Sequence, residues 1–291
     1  MNVVTKISAA GTGGLEIRRL SETLGAEIRG IDLGTETDPG KWAALRAALA
    51  EHGVIFFRDQ DLTPEQHIAM AEKFGDININ RFFSTVEGYP QIAEVRKEAH
   101  QKSNIGAGWH ADHSYDEAPA LGSILLAREV PAYGGDTQFA DLALAYDHLS
   151  DGLKATLKSL RAVHSSRHVF GKDSRRTKDL KDRLGNEELA TQDSIHPVVI
   201  RHPDSGREVL FVNPGFTIRF DGWTAEESKP LLDYLYRHAQ QAEFTYRFHW
   251  EKGSIAFWDN RRTWHQALNN YQGMRRIMHR ITIEGGKLAA A

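Results

Sequence analysis

"EFTYRFHW", residues 243–250, sets Phe244, Tyr246, Phe248 and Trp250 against Thr245, Arg247 and His249. Alternation at period two belongs to a strand with one buried face, because successive side chains on a strand point to opposite sides. The same texture recurs from residue 91 onward: "QIAEV", "GSILLA", "DTQFA", "HPVVI", "EVLFV", "SIAFW" and "RRIMHRITI" are short, mostly apolar and bounded by turn-forming residues. Such an inventory predicts a mainly β chain closed into a barrel or jelly roll, with helices at its flanks.

Upstream, "DPGKWAALRAALAEHG" predicts a helix with Trp42, Leu45 and Leu49 on one face, running into the strand "VIFF". A second helix starts at Thr63-Pro64-Glu65-Gln66, a capping-box pattern with Pro at the first helical position, and Gly75 is placed to close it. Two further helical stretches fall around residues 149–160 and 226–239; Pro230, which lacks an N–H, compromises the second. Residues 171–193, "GKDSRRTKDLKDRLGNEELATQD", are highly charged without a sustained apolar stripe. They read either as a mobile insertion of the kind that forms an active-site lid or as a solvated helical excursion. The domain organisation predicted is a flexible Gly/Ala/Ser-rich tail over 1–14 and one domain over 15–291.

With 291 residues and 41% hydrophobic content, the chain can bury a sizeable core. Thirty-six basic residues against 39 acidic ones, with no basic run, exclude nucleic acid and an anionic membrane as expected partners. The N-terminal stretch has neither a basic region nor an apolar one, and no segment is apolar enough to span a bilayer, so a cytoplasmic protein is expected. Cysteine is absent from the sequence. Thiolate nucleophiles and zinc-thiolate sites are therefore excluded, and any metal falls to His, Asp or Glu, with 14 histidines to draw on.

In "GWHADHSY", residues 108–115, His110 and Asp112 stand two apart. On a strand they project to one side and can hold adjacent positions on one metal ion. The competing reading is a plain turn. His202-Pro203-Asp204 in "HPDSG" has the same spacing and reads as a hairpin turn between two apolar runs, where loss of His202 should be nearly silent. His265, in "FWDNRRTWHQALNNY", is either a hydrogen-bonded structural histidine or the third member of a two-His, one-carboxylate set. That set leaves three positions open and is associated with non-haem Fe(II) oxygenases. In "RRIMHRITI" the period-two rule puts Arg276, Met278, Arg280 and Thr282 on one face and Ile277, His279, Ile281 and Ile283 on the other. On an exposed edge strand the arginines meet solvent; in a barrel wall both point inward and require anionic partners such as carboxylates. Thr137, in "GGDTQFAD", is a strand start or a ligand contact.

Taken together and in this order, "WHAD", "GGDT", "WDNRRTWH" and "RRIMHRITI" resemble the Fe(II)/2-oxoglutarate-dependent taurine dioxygenase family, which includes alkylsulfatases and aryloxyalkanoate dioxygenases. The resemblance runs from "LGAEIRGIDL" to the C-terminal strand. It implies a double-stranded β-helix, a jelly-roll or cupin-like core, with His110, Asp112 and His265 on iron. It also implies Thr137 and Arg276 on the carboxylate of 2-oxoglutarate, and Arg280 on the anionic group of the substrate. Trp258 is implied to pack beside the cosubstrate, or is a plain core aromatic. The implied reaction consumes O2 and 2-oxoglutarate, releases CO2 and succinate, and hydroxylates the substrate; retention of Asp112 favours hydroxylation over halogenation. A homo-oligomer, dimer or tetramer, is also implied.

Asn80 and Phe83 stand where taurine enzymes carry a histidine and a tyrosine, and Gly106 where they carry an asparagine, which argues against taurine itself. "EGYP", "IGAGWHAD" and "VHSSRHVFG" resemble the phenoxypropionate-type enzymes more closely. Phe83, Val169, Phe170 and Phe216, with the space at Gly106, then imply a larger apolar or aromatic anion. His113 adds a polar contact or shapes the wall. Two other classes compete. A cupin-type metal enzyme without 2-oxoglutarate would keep the three ligands but have no need of paired inward arginines; a non-catalytic anion-binding protein would need the arginines but not the ligands.

Overall fold

All four side chains of the strand Val54–Phe57 are buried, yet Val54 and Phe56 face one core while Ile55 and Phe57 face another. A strand buried on both faces sits inside layers. The computed structural model describes residues 14–22, 24–172, 174 and 178–291; the tail expected over 1–14 lies, apart from Gly14, outside the described residues, as do residues 173 and 175–177 of the charged insertion. In it, Val54–Phe57 belongs to a large sheet ordered Glu16–Arg19, Ala26–Arg29, Val54–Phe57, Ile255–Asp259, Gly122–Glu129, Arg276–Ile283, Tyr89–Lys97 and Thr85–Val86. Pairing is antiparallel except between Ala26–Arg29 and Val54–Phe57.

A smaller antiparallel sheet, Thr245–Phe248, Thr137–Asp141 and Thr263–Ala267, faces the large one. Between them Phe56 stacks on Phe248 with centroids 4.0 Å apart and meets Phe139 edge-on at 5.6 Å, while Trp258 and Met278 extend the layer. The large sheet's other face is covered by the helices Pro39–His52 and Pro64–Glu72, through Trp42, Leu45, Leu49 and Met70. The small sheet's other face packs Ala140 and Trp264 beneath Leu142–Asp147 and Ala225–Ala239. This is the jelly roll with flanking helices that the strand pattern predicts. Among the described residues no helix is long and apolar enough to cross a membrane.

Local chemistry sets the helix ends. Asp38 accepts the Gly40 N–H at 2.8 Å, Pro39 begins the helix, and Gly53, at φ 70°, closes it by donating to Leu49 O. Thr63 and Gln66 form the reciprocal capping box. Pro230 does not break Ala225–Ala239. Pro230 and Glu226 are both exposed, so the carbonyl that loses its partner belongs to the solvent side of the helix, and Leu232, Leu235 and Ala239 hold the opposite face. In "EFTYRFHW" only Thr245–Phe248 is strand: Phe248 and Trp250 enter the inter-sheet core, whereas Phe244, one turn earlier, packs behind the small sheet.

The charged insertion is tied down in its second half. Arg183 is buried and donates to the carbonyls of Arg96 and Ser103 at 2.6 and 3.1 Å, and Gly185 N–H donates to Phe82 O. Leu180, Leu184 and Ala190 pack with Phe82, Phe170 and Phe216.

Candidate active site

His110 and His265 face each other across a single β-bridge, exchanging main-chain hydrogen bonds of 3.1 and 2.9 Å. Opposed residues on antiparallel segments project to the same side, and the two ring centroids lie 4.1 Å apart. The extended segment stops there, since Asp112 opens a turn and His113 adopts a left-handed φ of 56°. The carboxylate nevertheless reaches the pair: Oδ1 lies 3.6 Å from His110 Nε2, and Oδ2 lies 3.9 Å from His265 Nε2. One ligand atom from each of the three residues lies within 4.8 Å of the others.

Protonation states suit a metal. His110 Nδ1–H donates to Gly108 O at 2.8 Å, which leaves the Nε2 lone pair free. Burial, with His110 beside it, pushes the His265 pKa well below its ordinary value, so this ring is neutral. Its Nδ1 has no partner among the described residues; packing against Trp258 at 4.5 Å and Phe139 at 6.3 Å fixes the ring instead. Burial alone would raise the Asp112 pKa, but the Arg280 guanidinium beside it outweighs that and holds the carboxyl below the usual range. Two imidazoles whose Nε2 atoms face one carboxylate fit Fe(II). Two glycines permit the approach: a Cβ on Gly106, at φ 79°, would stand 3.4 Å from His110 Cε1, and one on Gly215 would stand 2.6 Å from His110 Cβ.

The three residues open into a cavity of about 340 Å³ that both arginines of the C-terminal strand also line. Arg276 is buried over the Trp250 ring at 5.7 Å, and its Nε and Nη2 have no partner among the described residues. A buried guanidinium with unsatisfied donors calls for an anion. Thr137 lines the same cavity, and its hydroxyl accepts Trp250 Nε1–H at 2.9 Å, so its own proton is free for a ligand. Arg280 Nη1 lies 3.2 and 3.3 Å from the two Asp112 oxygens, and the guanidinium sits 4.3 Å over Phe83.

The family model for "Taurine catabolism dioxygenase TauD, TfdA family" matches residues 16–282. The chain belongs to this family. It is 33% identical over 281 residues to an alpha-ketoglutarate-dependent sulfate ester dioxygenase of Pseudomonas putida, with 93% of this chain and 90% of the relative covered. Identity is also 33%, over 278 residues, to an (S)-phenoxypropionate/alpha-ketoglutarate dioxygenase of Sphingobium herbicidovorans, covering 93% and 95%. Among solved structures, a taurine dioxygenase from Burkholderia xenovorans superimposes with a TM-score of 0.79 at 37% identity, covering 95% of this chain and 93% of that one.

The cavity has strongly apolar walls, built from Phe83, Ile105, Val169, Phe170, Leu184 and Phe216. Asn80 and His113 are in the lining, but their polar atoms are engaged. Asn80 Oδ1 accepts the N–H groups of Phe82 and Phe83, and its amide nitrogen faces His113 Nε2 at 3.2 Å. His113 Nδ1 meets Asp116 Oδ2 at 2.9 Å, and Arg81 pairs with the same carboxylate. Asn80 and His113 thus brace the wall. Trp258 lines the cavity beside His265 and donates its N–H to Asn260.

Several contributors escape the linear reading. Ser123 Oγ is 2.8 Å from Asp112 Oδ2, and its signal was a lone hydroxyl in the apolar run "GSILLA", which must find a partner when buried. Leu180 and Leu184 join the lining, and their i, i+4 spacing was the one apolar step in the charged insertion. Arg261 and Arg262, in the turn before His265, are buried: Arg262 grips Asp141 at 2.6 Å and the carbonyls of Ala50 and Glu51 at 2.9 Å, anchoring the turn that leads from the large sheet into the strand carrying His265. At His202 the structure counts against silence. It does sit in the loop between Val199–Arg201 and Glu208–Leu210, yet the ring is buried, accepts Ser205 N–H on Nδ1 and donates from Nε2 to Asp259 at 3.0 Å.

Proposed function

We propose that this protein hydroxylates a small organic anion with an apolar body, of the sulfate ester, sulfonate or aryloxyalkanoate class, with taurine disfavoured. It is a 2-oxoglutarate-dependent dioxygenase that works with Fe(II) and O2. One observation carries the reading: two buried arginines, four residues apart on one strand, share the cavity of the His110, Asp112 and His265 set, and each keeps donors unpartnered among the described residues. A metal enzyme without a carboxylate cosubstrate would have no use for the first arginine. A passive anion binder would not gather the three ligands.

In this reading Arg276 and the Thr137 hydroxyl hold the distal carboxylate of 2-oxoglutarate, and Arg280 holds the substrate anion. Bound Fe(II) supplies O2 activation coupled to the conversion of 2-oxoglutarate into succinate and CO2, with one oxygen atom entering a substrate C–H bond. Phe83, Phe170 and Phe216 take the apolar body and exclude water around the reacting carbon. Taurine's ammonium would find Asn80 and His113 already engaged. If the hydroxylated carbon bears a sulfate oxygen, the product collapses to a carbonyl compound and sulfate. Leu180 and Leu184 in the cavity lining support a lid role for the 171–193 insertion. A homo-oligomer in the cytoplasm completes the proposal: exposed Ile195, Ile218 and Trp223 offer apolar surface, and a cysteine-free chain suits any redox compartment, a reducing one included.

The test incubates the protein with Fe(II), ascorbate and 2-oxoglutarate and measures succinate against hexyl sulfate, hexanesulfonate, 2-phenoxypropionate and taurine. Substrate-dependent succinate should be largest with the apolar anions. Succinate formed with taurine alone would overturn the apolar-body assignment, and none with any anion would overturn the reaction.

A further inference from the structure

Asp112 presents two oxygens, and one donor chooses between them. Arg280 Nη1 is 3.2 Å from Oδ1 and 3.3 Å from Oδ2, so it adds charge without preference. Ser123 Oγ, wholly buried in the strand Gly122–Glu129, is 2.8 Å from Oδ2. The direction of that hydrogen bond is fixed from the far end. An indole N–H can only donate, and Trp258 Nε1 donates to Asn260 Oδ1 at 2.8 Å. The Asn260 amide is thereby oriented, and its Nδ2 donates to Ser123 Oγ at 3.1 Å. Ser123 has one proton, and it remains for Asp112, which as a carboxylate can only accept. The Asp112 main-chain N–H, 3.3 Å from the same Asn260 Oδ1, closes the loop.

We infer that Ser123 and Asn260, with Trp258 as the terminus, are positioning residues that commit Asp112 Oδ2 to the protein and leave Oδ1 as the oxygen offered to the metal. The inference rests on the reading of His110, Asp112 and His265 as the iron site. A carboxylate that binds through one oxygen occupies one coordination position, and through both it occupies two. The relay therefore protects the three open positions that define this ligand class. Ser123, Asn260 and Trp258 are each at most 2% exposed, so water cannot stand in for a lost link. The relay also begins at the cavity wall, where Trp258 packs on His265.

The test measures Fe(II) affinity of the full chain by competition with a chromophoric chelator, for wild type, Ser123→Ala, Trp258→Phe, their double variant and His265→Ala. The thermal midpoint of each metal-free protein is recorded alongside. Ser123→Ala should weaken Fe(II) binding by about tenfold or more, the scale of losing a partner that orients a ligand. Trp258→Phe, which keeps an aromatic wall but lacks the N–H, should weaken it a few-fold. Because the links act in series, the double variant should bind no more weakly than Ser123→Ala. Affinity within twofold of wild type in Ser123→Ala, with His265→Ala abolishing binding, overturns the relay and spares the site. Wild-type affinity in His265→Ala overturns both. Should Ser123→Ala not fold, unchanged affinity in Trp258→Phe overturns the relay by itself.

Discussion

Replacing Arg280 by leucine separates two duties of one guanidinium, and the structure gives them opposite signs. The side chain is buried, bonds Asp112 through Nη1, covers the Phe83 ring, and keeps Nε without a partner among the described residues. Leucine retains apolar contact with Phe83 and removes the charge. A charge-assisted hydrogen bond to the substrate anion is worth roughly 1.5–3 kcal/mol, so affinity for hexyl sulfate should fall about 10- to 150-fold. Fe(II) affinity should hold or rise, because a cation beside Asp112 competes with the metal for the same negative charge. At an effective dielectric of about 20, unit charges roughly 4 Å apart interact by about 4 kcal/mol, so the competition is not negligible. Affinity for 2-oxoglutarate should change by no more than about threefold, since Arg276 is a separate group two same-face steps, roughly 13 Å, along the strand.

Three titrations on one variant decide the matter: Fe(II) against a chelator, 2-oxoglutarate against succinate formation, and hexyl sulfate against 2-oxoglutarate consumption. A loss confined to 2-oxoglutarate would move the cosubstrate role to Arg280. A tenfold loss in all three would show that Arg280 acts by holding the site together, and the sign argument for the metal would be wrong.

Trp250→Phe removes the N–H that occupies the Thr137 hydroxyl oxygen, so 2-oxoglutarate affinity should fall roughly 2- to 10-fold for about one net hydrogen bond; an unchanged affinity would dissociate Thr137 from the cosubstrate. His202→Ala leaves the buried Asp259 and Ser205 N–H each short of a partner and should destabilise the fold by roughly 2–4 kcal/mol in urea unfolding, with Fe(II) affinity unmoved; a change below about 0.5 kcal/mol would return His202 to the status of a plain loop residue. His67 is buried with neither ring nitrogen partnered among the described residues, and burial, with His279 and Arg128 nearby, pushes its pKa down to about 3. The unfolded chain therefore binds this proton first as pH falls. The stability contributed is present above about 6.5 and is lost toward 3 at roughly 1.4 kcal/mol per pH unit. His67→Leu should flatten that slope in urea midpoints taken across the range, and an identical slope would locate the titration elsewhere.

Much of the architecture was legible because period-two patterning is local. "RRIMHRITI" assigns Arg276, Met278 and Arg280 to one face from the sequence alone, and the structure puts Met278 in the inter-sheet core and Ile281 and Ile283 beneath the helices. Burial of polar groups was less legible, because it depends on partners far along the chain. Arg262 looks like a solvated turn residue until Asp141, 121 positions away, closes on it. Pro230 looks like a helix breaker until the exposed side of its helix is known. The charged insertion shows no stripe, yet Arg183 reaches the main chain of two other segments.

The two H-x-D sequences state that limit most sharply. His110-Ala111-Asp112 with His265, and His202-Pro203-Asp204 with Asp259, both bring three ligand-type side chains within 4.8 Å, so neither spacing nor convergence separates them. Occupied imidazole lone pairs do. At the second cluster His202 uses both ring nitrogens, one to accept from Ser205 and one to donate to Asp259, so no imidazole lone pair remains for a cation. At the first, His110 engages only Nδ1 and His265 neither nitrogen, while Asp112 stays ionised. Iron titrated into the wild-type protein should therefore fill one tight site per chain. A second tightly bound equivalent, lost in His202→Ala, would mean that the hydrogen bonds of His202 do not silence its cluster, and that occupied imidazole lone pairs are the wrong criterion for telling the two apart.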